Sequence, residues 1–312
     1  MSRESAFIDA LRAFATDPAA RGLCDDAAVL PRPAGDLVLT QDMLVEGVHY
    51  LPDDDPADVA WKLLAVNLSD LAAKGAAPVG VLLGYAMTDD ADWDAAFAAG
   101  LGVAAAGWGV PLLGGDTVRM PPGAPRTLGL TALGIAPATG VPSRSGARPG
   151  DILHVTGTIG DAAQGLAIRQ GRAGQGSATA AQLVARYQRP TPRLAIGRLL
   201  APHATAMADI SDGLLIDAAR MAAASGCAIR IDLDAVPLSD AFRTSRGDDL
   251  AARLFAATGG DDYELLCAMR GEKPVDPAGL TAIGRVVEGK GLQLTFGGAA
   301  IPLPHCLGYE HL

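Results

Sequence analysis

Residues 56–87 read PADVAWKLLAVNLSDLAAKGAAPVGVLLGYAM and change periodicity partway along. As far as Ala73, apolar residues fall at helical spacing, with Val59, Leu63 and Val66 on one stripe. Asp55 before Pro56 is an N-cap followed by proline at the first helical position, which predicts a helix over Pro56–Ala73. Beyond Lys74-Gly75 the apolar run Val79–Met87 reads as a strand. A helix turned into a strand by a short glycine link is the unit of layered α/β proteins. The stripe carries one anomaly. Its next members are Asn67 and Asp70, and a carboxylate on a buried stripe must be paired or hold a metal.

The same alternation extends in both directions. Upstream are an amphipathic N-terminal helix and a strand at Leu37–Leu44; downstream come a helix at Asp92–Ala106 and strands at Pro111–Thr117 and Thr127–Ile135. Between Ile135 and Gly150 the chain turns to PATGVPSRSGARPG, a boundary composition that predicts domains over 1–138 and 149–312. The second half is read as a strand at Ile152–Thr156 and helices at Asp161–Gln170 and Pro192–Leu200. A strand at Ala206–Ile210, a helix at Leu214–Ala224 and a strand at Ala228–Leu233 follow. Thr191–Pro192 looks like a second N-cap device. The expected class is α/β, in an α+β layered form with two domains.

Composition excludes several functions. With 312 residues, 49% apolar, the chain can bury two sizeable cores. A net charge of −10 argues against nucleic-acid or anionic membrane surfaces. The longest apolar run, Leu101–Leu113, is broken by glycines and Pro111 and is too short to span a bilayer. Cysteines at 24, 227, 267 and 306 form no CxxC pair, so reduced thiols in a cytoplasm are expected. No GxxxxGK[ST], GxSxG or HExxH occurs, and GLGVAA (100–105) follows a helical pattern rather than the strand that a dinucleotide site needs.

What remains is a dispersed series of aspartates. Asp25-Asp26 precede an apolar AAVL, Asp42 interrupts a strand, and Asp116 closes VPLLGGD. Asp209 and Asp212 flank the ISDG after another strand, where layered proteins collect ligand groups. Any one of them could be a cap or half of an ion pair. Taken together, oxygen donors without a Cys or His cluster suit a hard cation, and with no EF-hand loop they favour Mg²⁺ handling phosphate. The residues by themselves thus point to a Mg²⁺ site that handles phosphate, and the ATP-using phosphotransferase reading enters with the resemblance below.

The motifs also carry a resemblance. DDAAVL (25–30), TQDMLVEGVHY (40–50), AVNLSDLAAKGAAP (65–78), LLGGDT (112–117), RSGARPGD (144–151), VTGTIGDAAQGLAI (155–168), RPTPRL (189–194), ADISDGLLID (208–217) and GGDDYELL (259–266) occur in that order. Together with the closing GYEHL they resemble the thiamine-monophosphate kinase family, of the aminoimidazole-ribonucleotide-synthetase-like superfamily, over nearly the whole chain. The resemblance implies phosphoryl transfer from ATP to thiamine phosphate and a homodimer in which N-terminal sheets pair. It implies that Asp26, Thr40, Asp42, Asp70, Asp116, Asp209 and Asp212 bind Mg²⁺, with Gln41 a possible addition. Gly115, Asp116, Arg144 and Ser211 match ATP-contacting positions, and His49, Asp261 and Tyr309 match substrate-facing ones. No separate catalytic base is implied.

The chain departs from the family pattern at four places: Cys24 for a usual Gly, Gln41 for Thr, Asp261 for Glu and Tyr309 for Trp. Cys24 is expected to restrict its turn. Gly157–Gly160 admits two readings, a phosphate cradle or a tight strand-to-helix turn. Another ATP-using synthetase of the superfamily and a non-catalytic Mg-ATP sensor stay open as alternatives.

Overall fold

The structure, a computed structural model, describes residues 3–31, 34–174, 176–271 and 279–310. They form two compact units, 1–71 with 76–136 and 72–75 with 137–312.

The first unit runs α1 (Arg3–Arg12), a 3-10 segment (Pro18–Leu23), β1 (Leu37–Val45), α2 (Pro56–Ala73), β2 (Ala77–Met87), α3 (Ala91–Trp108), β3 (Leu112–Arg119) and β4 (Thr127–Ile135). Its sheet has the order β1-β4-β2-β3, with β2 and β3 parallel and the other pairs antiparallel. The α2 cap forms as expected: the Ala57 amide donates to Asp55 Oδ1 at 2.8 Å. Residues 62–69 of α2 are buried on every side, so this helix is core and not an amphipathic cover. Burial of Leu63, Leu64 and Leu68 contributes about 1.5–3 kcal/mol apiece. On β4, Leu128, Leu130 and Ala132 are buried. On β1, by contrast, Leu37, Leu39 and Met43 are exposed at an edge of the sheet.

The second unit runs β5 (Ile152–Thr156), α4 (Asp161–Arg169), α5 (Ala178–Gln188), α6 (Leu194–Leu200), β6 (Ala204–Ile210), α7 (Leu214–Ser225), β7 (Ala228–Asp232), α8 (Asp240–Arg246), α9 (Leu250–Thr258), β8 (Glu264–Met269), β9 (Leu280–Val287), β10 (Gly291–Phe296) and β11 (Ala299–Ile301). The sheet order is β11-β10-β7-β9-β5-β8-β6, and only β7–β10 pair in parallel. Leu215, Met221, Ile231, Phe242 and Leu266 share its core. Mixed sheets with helices in both units make this the expected α/β class. Among the described residues no helix is long and apolar enough to cross a membrane.

Two local expectations change. The helix expected from Pro192 begins at Leu194, with Arg193 at its N-cap and no side-chain cap. Arg193 is turned instead onto the buried Glu264, to which Nε donates at 2.6 Å. The helix α5 was not anticipated, although Ser177 caps it and Leu183 and Tyr187 bury its inner face.

Candidate functional site

In the first unit a left-handed turn delivers the paired aspartates. Arg21, Gly22 and Leu23 have φ of 51°, 64° and 52°, and Arg12 donates to the Gly22 and Leu23 carbonyls at 3.2 and 3.3 Å. Cys24 itself has φ −115° and ψ 0°, a region open to any residue. The restriction expected there does not arise, because the turn's unusual geometry lies on the three residues before it. Arg21 pairs with Asp25 and holds its carboxyl below the usual range.

Asp25 and Asp26 then line a cavity of about 690 Å³ over the sheet, together with Gln41, Gly115, Asp116 and Thr131. Three carboxylates border it, and among the described residues no basic side chain does. Gly115 is required where β3 meets β2, since a Cβ would collide with the Leu83 carbonyl. Gln41 Oε1 accepts from the Thr131 hydroxyl at 3.2 Å.

Strand alternation splits the remaining donors of β1. Gln41 faces the cavity, whereas Thr40 and Asp42 fall on the opposite face, toward α2. There the Thr40 hydroxyl donates to Asp70, and the Asp42 amide donates to Asn67 Oδ1 at 2.9 Å. Asn67 Nδ2 in turn donates to the Leu63 carbonyl at 2.9 Å. Both polar members of the α2 stripe are therefore hydrogen-bonded. Just past β1, His49 Nδ1 accepts from the Val45 amide at 3.0 Å, and Lys62 Nζ donates to the His49 carbonyl at 3.1 Å. Among the described residues no group of three His, Cys, Asp or Glu is preassembled to hold a metal ion.

In the second unit, main-chain bonds gather the predicted residues around the end of β6. Asp209 is buried in its last turn of strand. The amides of Ser211 and Asp212 both donate to Asp217 Oδ2 at 3.2 Å. Arg220 bridges Asp212 and Asp217, at 2.9 Å from the latter. Burial raises the Asp217 carboxyl above its ordinary range, and Arg220 offsets part of that. The Asp261 amide donates to the Ser211 carbonyl at 2.8 Å, and the Tyr309 amide to the Asp212 carbonyl at 2.9 Å. Asp261 and Tyr263 are left-handed, with φ of 71° and 50°, and the Tyr263 hydroxyl donates to Asp261 at 3.2 Å. Main-chain bonds thus join Ser211 to Asp261 and Asp212 to Tyr309, just past the buried Asp209. Arg144 is exposed on a segment anchored to β6, where the Met207 amide donates to the Ser143 carbonyl at 2.8 Å.

Sequence reasoning missed the supports around these residues. Asp217 and Arg220 form an i,i+3 pair on α7, legible as IDAAR once the helix is placed. Asp262 and Glu264, next to Asp261, are buried. The Gly160 amide donates to Asp262 Oδ2 at 2.8 Å, and the Glu264 carboxylate fills the space a Cβ at Gly157 would need. The Gly157–Gly160 turn is therefore a tight turn closed by protein carboxylates.

Known proteins extend these observations. The AIR synthase related protein N-terminal domain matches residues 24–136, and the corresponding C-terminal domain matches residues 148–297. A thiamine-monophosphate kinase of Caulobacter vibrioides is 41% identical over 95% of this chain and 86% of its own length. Its counterpart in Salmonella typhimurium is 46% identical over 78% of this chain and 74% of its own. A solved thiamine-monophosphate kinase from Stenotrophomonas maltophilia superposes with a TM-score of 0.81 at 37% identity, covering 96% of this chain and 97% of that one. A structure described as AaThiL complexed with AMPPCP and TMP gives 0.80 at 30% identity, covering 92% and 91%. The hydrogenase maturation protein HypE, at 20% identity and 0.79, shares the fold. On this identity across nearly its whole length, the chain belongs to the thiamine-monophosphate kinase family, built from the two AIR synthase related domains.

Proposed function

We propose that the chain transfers the terminal phosphoryl group of ATP to thiamine phosphate, forming thiamine diphosphate and ADP. The observation that carries this reading is the first-unit cavity, where Asp25, Asp26 and Asp116 surround a close main-chain approach at Gly115, with no basic side chain among the described lining residues. Such a cavity repels a bare triphosphate and accepts one accompanied by cations. Relatives named for this activity, and one solved with AMPPCP and TMP, support the same reading.

The donor set suits magnesium, being entirely oxygen and mostly carboxylate. Asp26, Thr40, Asp42, Asp70 and Asp116 would be the first unit's magnesium donors, with Gln41 an amide-oxygen addition, and Asp209 and Asp212 would be the second unit's. Bound magnesium would neutralise phosphate charge and favour in-line transfer. Because these donors are dispersed among the described residues, phosphate oxygens and water would complete a bound ion's coordination. Gly115, Arg144 and Ser211 contact ATP in this reading, Arg144 as an exposed cationic clamp. His49, Asp261 and Tyr309 contact thiamine phosphate, and the half-exposed Tyr309 ring offers a stacking face for a heteroaromatic group.

The acceptor explains the lack of a catalytic base. A phosphate monoester has its second pKa near about 6 and is mostly dianionic at neutral pH. Residues 1–138 carry the dimer contacts and most of the proposed magnesium donors in this reading, and residues 149–312 form the second domain. The exposed Leu37, Leu39 and Met43 on edge strand β1 support a homodimer formed through the first unit's sheet. Free cysteines at 24 and 306, both exposed, suit a reducing cytoplasm. The test is direct: purified, folded protein incubated with ATP, Mg²⁺ and thiamine phosphate, with products separated chromatographically. Thiamine diphosphate is expected, and its absence would sink the reading.

A further inference from the structure

Lys62 is an ammonium in the wrong solvent. It is 2% exposed in the middle of α2, with Leu63 and Leu64 beside it fully buried. A buried ammonium is costly unless its protons are engaged. Lys62 Nζ donates at 3.1 Å to the main-chain carbonyl of His49, thirteen residues earlier.

The segment that Lys62 grips is itself tightly folded. The Val48 and His49 amides both donate to the Val45 carbonyl, at 3.1 and 2.9 Å, and the Gly47 amide donates to the Tyr50 carbonyl at 2.9 Å. In return the Val45 amide donates to His49 Nδ1 at 3.0 Å. An amide nitrogen can only donate, so Nδ1 must present a lone pair and the ring proton must sit on Nε2. The ring is held by an amide, and the backbone carrying it is held by Lys62.

We propose that Lys62 is a positioning residue: by bracing the His49 carbonyl it holds the imidazole as a neutral Nε2–H donor for an acceptor atom of the phosphorylated substrate. This rests on the reading of His49 as substrate-facing. The helix that supplies Asp70 to the proposed metal set thereby also sets the substrate side, through a residue of its own buried stretch.

Lys62→Met keeps most of the side-chain volume and removes the donor. Two readouts separate the brace from the site assignment. The first is the ¹⁵N spectrum of His49 in the full-length protein. Wild type should show a protonated Nε2 and a bare Nδ1, and Lys62→Met should give averaged signals of both tautomers. An unchanged single tautomer in Lys62→Met would overturn the brace. The second readout is steady-state kinetics of Lys62→Met, His49→Ala and the double variant. Loss of a charged hydrogen bond should raise the KM for thiamine phosphate about tenfold in Lys62→Met, with the KM for ATP unchanged. The double variant should match His49→Ala alone, because Lys62 acts through His49. Additive losses, or a shift confined to ATP, would overturn the proposal. If His49→Ala leaves thiamine phosphate kinetics untouched while the ¹⁵N result holds, the substrate-facing reading falls and the brace stands. Should Lys62→Met fail to fold, Lys62→Gln, which retains a donor without the charge, takes its place with an intermediate rise in KM expected and a wild-type KM together with a wild-type tautomer counting against the proposal.

Discussion

The main-chain amide of Tyr309 donates to the carbonyl of Asp212 at 2.9 Å, which ties the end of the chain to the loop after β6. The tie has a steric condition one residue earlier. Gly308 packs against Ile216 and the Asp212 carbonyl so closely that any Cβ would collide with both. The closing residues are thus seated on the acidic loop through a main-chain bond and a close backbone approach, with Tyr309 half-exposed.

Gly308→Ala should lift this seat. A lost main-chain hydrogen bond costs only about 1 kcal/mol, so the thermal midpoint should fall by a few degrees at most. Steady-state kinetics should show a higher KM for thiamine phosphate and an unchanged KM for ATP. Wild-type values for both would detach Tyr309 from the substrate.

Asp42→Asn leaves the main-chain amide that bonds Asn67, and so should fold normally. Turnover should fall by about 10²-fold or more, on the scale of losing one electrostatic contact to the transferring group. Near-normal turnover would remove Asp42 from the metal set.

Glu264→Gln should act on stability. The Glu264 carboxylate is wholly buried and receives Arg186 at 2.9 Å, Arg193 at 2.6 Å and the Thr156 hydroxyl at 2.6 Å. Removing its charge leaves two guanidinium groups short of a partner, a loss of about 3 kcal/mol. Urea denaturation followed by circular dichroism should show the midpoint falling; an unmoved midpoint would mean that the network relaxes freely.

Asp262→Asn should stabilise, and more so at higher pH. Burial pushes this carboxyl well above its ordinary range, and its Oδ1 has no hydrogen-bond partner among the described residues. A raised folded-state pKa contributes stability that is complete below the unfolded value and lost as pH climbs through the folded one. Asn keeps an acceptor for the Gly160 amide and cannot ionise. The variant should match wild type near pH 4 and exceed it by about 1–3 kcal/mol at alkaline pH. Melting curves across that range test the sign.

Leu39→Asp places a charge in the exposed apolar row of β1. If the first unit's sheets pair in a homodimer, light scattering should report a shift from dimer to monomer for this variant at micromolar concentration. A wild-type protein already monomeric would remove the dimer from the proposal.

Legibility followed the range of the interactions. Asp55-Pro56 was readable because its cap closes within two residues, at 2.8 Å. Thr191–Pro192 carried the same signal and misled, because the fate of Arg193 depends on Glu264, 71 residues away. Asp70 was singled out as a carboxylate on a buried stripe, but it is only part-buried, and its Thr40 partner lies on another element, 30 residues back. The anomaly is local; the answer to it is not.

Most helices and strands of the first unit and the family were determined by the sequence itself, since periodicity, capping and ordered motifs are short-range signals. Only the tertiary structure decided how the aspartates are apportioned. Strand alternation sends Gln41 to the cavity and Thr40 and Asp42 toward α2, and the strain of the first acidic turn falls on Arg21–Leu23 instead of Cys24. It also decided the roles of Lys62, Asp217, Asp262 and Glu264. Those side chains are buried, and a buried charge takes its meaning from the partners that folding brings to it.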